Sequence, residues 1–330
     1  MTDLLVFGEV NPDIVVRGVP PLAFGQSEDL VTATTMTVGS SAAIVACGAA
    51  RLGTRTALVG VVGADPFGRY MLDRLTDRGV DTSLIRVAED RRTGSSVILI
   101  PADPTDRQIL TDLAVIAELS VDDVPPAVLS GCRHLHVSSW FLQQGAQARL
   151  PELLARARSW GLTTSVDPND DPAGRWDSHL PEALPHIDVL FCNESEAQGI
   201  SGTADPMTAV WALLEQMSAS GGTRPAVVLK LGAGGAILMH KDAGLHVSAP
   251  VVPVVDTVGA GDSLAAGFLH GLLLGRPAED SLRLAVACGS LSTTAAGGTA
   301  AQPVLAAATR LGTTLAATRI DGDRKWGHRE

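Results

Sequence analysis

The chain has neither of the common phosphate-binding loops: no G-x-x-x-x-G-K-[ST] run occurs, and no G-x-G-x-x-G opens a helix. The first absence excludes a Walker-type cradle, and the second argues against a nicotinamide dehydrogenase. H-E-x-x-H and G-x-S-x-G are also missing, which argues against a zinc peptidase and an α/β-hydrolase. Aromatic residues are scarce, at 4%, so the core must be packed from small and branched aliphatic side chains. The four cysteines, Cys47, Cys132, Cys192 and Cys288, are widely spread among apolar residues with no C-x-x-C spacing, a pattern that fits a reducing cytoplasm. Basic residues are outnumbered 25 to 36, and the net charge of −11 argues against nucleic acid or an anionic membrane as the main partner. No apolar run reaches membrane-spanning length, and MTDLLVFGEV lacks the basic and long apolar regions of a signal peptide.

What is present is an α/β rhythm. At 330 residues and 45% hydrophobic content, the chain can bury a sizeable core. Leu4 to Val10 reads as a buried strand, followed by a helix from Ser41 to Leu52, the strand TALVGVVG and a helix from Phe67 to Asp77. HLHVSS, TTSVD, DVLFCN and AVVLKLG are further strand candidates, with helices near 146–160, 194–199 and 206–219. A doubly wound, mostly parallel sheet covered by helices on both faces satisfies this order. Residues 14–38 and 92–112 mix polarity and are punctuated by Pro, Gly and Asp, which suits a small separate sheet. The closing DGDRKWGHRE reads as a loose polar tail.

In such sheets, ligands collect beyond the carboxyl ends of the strands. Polar residues cluster at these positions: Asn11 and Asp13, Asp167 and Asn169, Asn193, Glu194 and Glu196, and Lys230 with Gly232. Each alone is also a good turn or cap residue. His134 and His136 share one strand face, where a structural role is the better reading than a metal site without further ligands. The segment Asp256-Thr257-Val258-Gly259-Ala260-Gly261-Asp262 opens a long helix that is apolar around most of its circumference and therefore buried. Its free N–H groups and two glycines offer an anion site, with Asp262 placed to accept a hydroxyl proton. By itself the segment is equally compatible with an ordinary helix start.

With D-T-V-G-A-G-D in place, the sequence resembles the ribokinase-like (PfkB) carbohydrate kinases over nearly its whole length. The resemblance includes GEVNPD at the start, ARLG at 50–53, VGADPFG at 62–68, NESE at 193–196 and KLGAGG at 230–235. It implies one ribokinase-like α/β domain over residues 1–330, with insertions at about 14–38 and 92–112 forming a lid. It further implies Asp262 as catalytic base, the amides of Gly259, Ala260, Gly261 and Asp262 as anion hole, and ATP with Mg²⁺ as cofactors. On the nucleotide side it carries over Asn193, Glu196, Lys230, Gly232 and Gly235, with Glu196 reaching Mg²⁺ through water and Ala295 to Gly298 near the adenine. Asn11, Asp13 and Gly39 fall at its sugar site, with Arg107 within reach of an anionic group. K⁺ held by backbone carbonyls at Asp256 and Val258, and a homodimer paired through the lid, are family expectations as well.

One departure stands out: the family's G-G-x-x-x-N-x-A is here Gly39-Ser40-Ser41-Ala42-Ala43-Ile44-Val45-Ala46. Ser40 replaces a glycine and Ile44 an asparagine, so an amide contact to the substrate is lost, and the hydroxyls of Ser40 and Ser41 are the candidates to replace it. The leading expectation is an ATP-dependent kinase of a small sugar or polyol. A nucleoside kinase of the same fold would want aromatic rings around the base, for which only Phe24, Phe67, Trp140 and Phe141 are candidates. A catalytically silent sugar-binding regulator is the third expectation, motivated by Ser40 and Ile44.

Overall fold

The structure, a computed structural model, describes residues 2–321 except 23–24, 26–27, 102–106, 221–223 and 242. Phe24, parts of both insertions and the tail beyond 321 therefore lie outside the described residues. Strands are numbered in chain order: β1 Leu4–Phe7, β2 Pro12–Val19, β3 Ala33–Val38, β4 Thr56–Gly63, β5 Ile85–Ala88, β6 Ser95–Pro101 and β7 Gln108–Asp112. They continue with β8 His134–Ser138, β9 Thr163–Asp167, β10 Val189–Asn193, β11 Ala226–Lys230, β12 Ala236–Met239, β13 Ala243–Val247 and β14 Ala317–Asp321. Ten of them form one sheet in the order β14-β13-β12-β11-β10-β9-β8-β1-β4-β5. It is parallel from β11 through β5 and antiparallel from β11 to β14. The remaining four make a small sheet, β3-β2-β6-β7, in which β2 and β6 run parallel.

The parallel strands are buried on both faces because helices cover them, which is why LLVF and TALVGVVG read as unbroken apolar runs. One core lies on each side of the sheet, built around Leu5, Phe7 and Trp140 on one face and Leu4, Val6 and Phe191 on the other. The first strand stops at Phe7, short of the expected Val10. Gly8 still bonds to the Val59 carbonyl, but the next carbonyl, that of Glu9, takes the Ser40 hydroxyl instead of a ladder partner. The antiparallel end of the sheet is a further difference from the purely parallel rhythm. It follows from the β11–β12 hairpin, whose Gly232 and Gly235 take φ of +55° and +91°.

The helix Ala260–Leu273 is buried along nearly its whole circumference, as its sequence predicts. It packs between the helices Ser41–Arg51 and Ala278–Ser292, where Gly48, Gly267 and Gly271 face Ala266, Cys288 and Ser281. A Cβ on Gly267 would lie 2.9 Å from Cys288 Sγ and 3.0 Å from the Ala285 Cα. His134 and His136 point into the body of the protein. His134 bonds to Thr163 and Ser165 hydroxyls, and His136 to that of Ser165, each at 2.7 Å. Burial lowers the pKa of His134 to about 3 and that of His136 well below its usual value, so both are neutral structural residues. No group of three metal-ligating side chains occurs among the described residues.

The close helix approach makes a direct prediction. Gly267→Val should destabilise the fold by about 2–3 kcal/mol through overpacking, read as a lower urea midpoint with unchanged m-value.

Candidate active site

A cleft of about 1150 Å³ opens beyond the carboxyl ends of β8 to β11, walled in part by the small sheet. It gathers Asn11, Asp13, Ser40, Ser41 and Arg107 with Asn193, Glu196, Lys230, Gly232 and Gly235, and with Gly259, Ala260, Gly261 and Asp262. Gly39 and Asp256 are not in the wall and act from behind it, whereas Val258 reaches the cleft directly. Ala295 to Gly298 are not in the wall either. That loop instead braces the turn: the Gly297 amide donates to Asp256 Oδ2 at 2.9 Å, and Gly298 backs Gly259 and Ile44.

The turn before the long helix is shaped by Gly259, whose φ of +73° suits glycine and whose missing Cβ leaves room for the Gly298 backbone. The N–H groups of Gly259, Gly261 and Asp262 make no backbone hydrogen bond among the described residues. Ala260 differs from the four-amide expectation: its N–H donates to the Thr257 carbonyl at 3.3 Å, closing the turn. The unpaired amides face the cleft at the positive end of a 14-residue helix, a standing invitation to an anion. Lys230 flanks them, since a Cβ on Gly261 would lie 3.3 Å from its Cδ and 3.6 Å from its Nζ.

Lys230 Nζ forms hydrogen bonds of 2.9 and 2.8 Å with the two carboxylate oxygens of Asp167 and lies 3.7 Å from Glu196. Burial alone would lower the pKa of Lys230, but Asp167, Glu196 and Asp262 outweigh it and hold the ammonium charged. Asp262 is pushed up to about 7, by burial first and then by Asp167, against the pull of Lys230 and a hydrogen bond from Ser41. A chain of side chains runs on from there. Asn169 Nδ2 donates to Ser41 Oγ and Ser139 Oγ, both at 2.8 Å, and Ser139 Oγ donates to Glu9 Oε1 at 2.8 Å. Glu9 also accepts from the Ser41 amide at 2.7 Å and from Gln143 at 3.1 Å, and burial raises its pKa. On the small sheet, Asn11 bonds to Ser96, which bonds to Thr111. Buried Asp13 is pushed up to about 7, with Glu9 and Asp256 adding to burial and Arg107 opposing.

Both oxygens of Glu196 already accept one hydrogen bond each, from the backbone amide and the side-chain amide of Asn193, in a capping box that starts the helix Glu194–Ser201. Each keeps a lone pair, whereas the Asn193 side-chain oxygen already accepts from the Glu196 amide and the Ser195 hydroxyl, so the hard oxygens left for a metal are those of Glu196. They fit a magnesium ion held through water better than one bound directly.

With this geometry in view, comparison with known proteins is decisive. The family model for pfkB family carbohydrate kinases matches residues 1–305. The chain belongs to this family. It is 32% identical to the fructokinase of Salmonella typhimurium over 280 residues, covering 80% of this chain and 88% of the relative. It is 30% identical to an ATP-dependent ribose-1-phosphate kinase of Halopiger xanaduensis, covering 88% and 92% of the two chains. The crystal structure of the fructokinase of Vibrio cholerae O395 superposes with a TM-score of 0.78 at 28% identity, over 94% of this chain and 99% of the other. The protein is thus a sugar kinase with a ribokinase-like fold, a phosphotransferase with an alcohol group as acceptor.

Within this sugar kinase, the altered first signature has a structural account. Ser40 adopts φ +70°, the conformation for which glycine is preferred. Its hydroxyl caps the helix Ser41–Arg51, accepting from the Ala43 amide at 3.0 Å, and donates to the Glu9 carbonyl. That proton is committed inside the protein, so of the two serines only Ser41 turns its hydroxyl into the polar chain that reaches Asp262. Gly39 is indispensable for another reason, since any side chain there would run into Asp13. Ile44 lines the cleft and packs against Gly259 and Gly298. Glu9 and Ser139 escaped sequence reasoning as site residues. Their signal was position alone, one just past β1 and one just past β8.

Ser40→Ala removes the cap and keeps the unfavourable φ, and should cost about 1–2 kcal/mol of stability, whereas Ser40→Gly should stay within a few tenths of the native value. Urea unfolding of the two variants checks the difference.

Proposed function

We propose that the chain is an ATP-dependent kinase of a small sugar or polyol hydroxyl, with Asp262 as catalytic base and the 259–262 turn as anion hole. The observation that carries this reading is the adjacency of Asp262 to unpaired amides at the start of the buried helix Ala260–Leu273. A base with a pKa near 7 is ionised at neutral pH yet able to take a hydroxyl proton as the bond to phosphorus forms. The amides of Gly259, Gly261 and Asp262 meet the charge of the transferred phosphoryl group without reorganisation, and Lys230 adds a fixed positive charge beside them. Glu196 would hold Mg²⁺ through water, and the ion when bound with ATP compensates the phosphate charges. The apolar Ala249, Val251, Val252, Leu264 and Val286 of the cleft wall offer a surface for the adenine.

Asn11, Asp13 and Ser41 offer the acceptors and donors that a polyhydroxyl substrate needs. The Vibrio cholerae relative, solved with fructose, ADP and calcium bound, supports a sugar and a nucleotide in one cleft. Arg107 also lines the cleft, which favours a phosphorylated sugar as a second reading. No aromatic side chain lines it among the described residues, so Phe67, Trp140 and Phe141 lend the nucleoside alternative no support. The regulator alternative is opposed by the intact turn and base. Met36, Ile109 and Leu110, exposed on the small sheet, support pairing of two copies through that sheet.

ATP consumption across sugars, polyols, sugar phosphates and nucleosides tests the reading. Turnover of at least one sugar or polyol is expected, and Asp262→Asn should lose about 10³-fold or more in kcat. Binding without any turnover would instead favour the regulator. Because Asp262 must be ionised to act, kcat/KM should fall as pH drops below about 7, approaching a slope of about tenfold per unit.

The same shift has a stability sign. The folded pKa lies above the unfolded one, so stability falls as pH rises from 3.8 to about 7, where the folded carboxyl keeps a proton that the unfolded chain has lost, and the loss is complete above that. Asp262→Asn should therefore stabilise the protein at pH 8 by on the order of 2–4 kcal/mol, an advantage that shrinks as pH falls through 7. Unfolding at several pH values reads this out. Light scattering should report twice the mass of one chain, falling to a monomer in Ile109→Asp with Leu110→Asp.

A further inference from the structure

Asp256 is buried just behind the cleft, and both its carboxylate oxygens are occupied. Oδ1 accepts from the Val258 amide at 3.0 Å, while Oδ2 accepts from the Gly297 amide at 2.9 Å and from Arg17 Nη2 at 2.6 Å. Arg17 belongs to β2 of the small sheet, 239 residues away in the chain. The next two residues of the turn also meet that sheet. Arg107 Nη1 lies 3.5 Å from Thr257 Oγ1, and Val258 packs with Val15, Ile98 and Ile100. Three consecutive residues leading into the anion turn are therefore held by one layer, and the strongest of the three contacts is the ion pair.

A buried carboxylate so close to an anion site needs a countercharge, both for its own burial and because it would repel the incoming phosphates. The family resemblance supplies a monovalent cation at Asp256 and Val258. The charges here do not fit one: the expected ligands are the two backbone carbonyls, and a potassium ion on them would sit beside a carboxylate that the Arg17 guanidinium already neutralises, setting two positive charges against one negative. We infer that Arg17 is the resident cation of the anion turn, that it makes phosphoryl transfer independent of K⁺, and that it is a positioning residue coupling the small sheet to the turn. This rests on the kinase reading above. A guanidinium fixed in the chain cannot leave, so the turn keeps its shape and the Asp256 charge stays neutralised as long as the small sheet is seated.

The test compares wild type, Arg17→Gln and Arg17→Lys in potassium chloride and in N-methylglucamine chloride of equal ionic strength, with sodium- and potassium-free ATP. Wild-type kcat and KM should agree within about twofold between the two media. Arg17→Gln should lose about tenfold or more in kcat with a smaller change in KM, and regain part of it with K⁺ or with dilute methylguanidinium; Arg17→Lys should keep most of the activity. A second readout needs no turnover: K⁺ should raise the Tm of Arg17→Gln and leave that of wild type unchanged. A wild type that requires K⁺, or whose Tm rises with K⁺ but not N-methylglucamine, overturns the inference, as does an Arg17→Gln enzyme with native kcat. If Arg17→Gln does not fold, the wild-type series decides alone. If wild type phosphorylates nothing in either medium, the kinase reading has failed, and the Tm series still shows whether K⁺ binds.

Discussion

One buried ammonium sets the electrostatics of the cleft. Lys230 stands at the end of β11 with Asp167 in direct contact and Glu196 and Asp262 close by. Burial and the neighbouring Asp167 carboxylate push Glu196, in the first turn after β10, and Asp262, in the first turn of the helix Ala260–Leu273, toward their neutral forms. The lysine opposes both shifts and keeps Asp262 from rising further, so that its proton affinity matches neutral pH. It also flanks Gly261, which places its charge beside the free amides. Replacing it with a neutral side chain would thus alter Asp262, Glu196 and the surroundings of the free amides together.

The sheet topology makes such a concentration possible. Parallel strands β8 to β11 all point their carboxyl ends the same way, so residues at a strand's end or within two positions of it, Ser139, Asn169, Asn193 and Lys230, collect into a single wall. Hydrogen bonds then link these residues sideways, through Ser41 and Asn169 to Ser139 and Glu9. A polar chain bonded in this way fixes the rotamers of its members.

Much of this was legible in the sequence. The alternation of apolar runs and helices yields the parallel sheet, and D-T-V-G-A-G-D, open on its own to an ordinary helix start, gains meaning from the polar residues at neighbouring strand ends and from the family resemblance. Less legible were the features that depend on tertiary approach. Glu9 looked like the end of a strand and is the buried terminus of the polar chain. Ser40 looked like a hydroxyl for the substrate, yet its positive φ and its bond to Glu9 make it a cap. Ala295 to Gly298 were too bland to place, and their work is done by backbone amides and missing side chains rather than by functional groups. Ile44 reads in the sequence as a lost polar contact, and only packing shows that it also supports Gly259.

The small sheet carries a consequence for how the molecule assembles. Its central pair, β2 and β6, joins residues 12–19 to residues 95–101 in parallel, and between them the chain builds the helix Ser41–Arg51, β4 and β5 of the large sheet. Until β6 arrives, β2 has only β3 as a partner, and an isolated two-stranded ribbon is marginal in water. At about 5–20 residues per second of synthesis, the β2–β3 ribbon waits several seconds for its neighbour. The layer that grips the anion turn is therefore a late product of folding, long-range in sequence and slow to close. Since Asp256 lies later still in the chain, the ion pair with Arg17 is available only once nearly the whole polypeptide has been made.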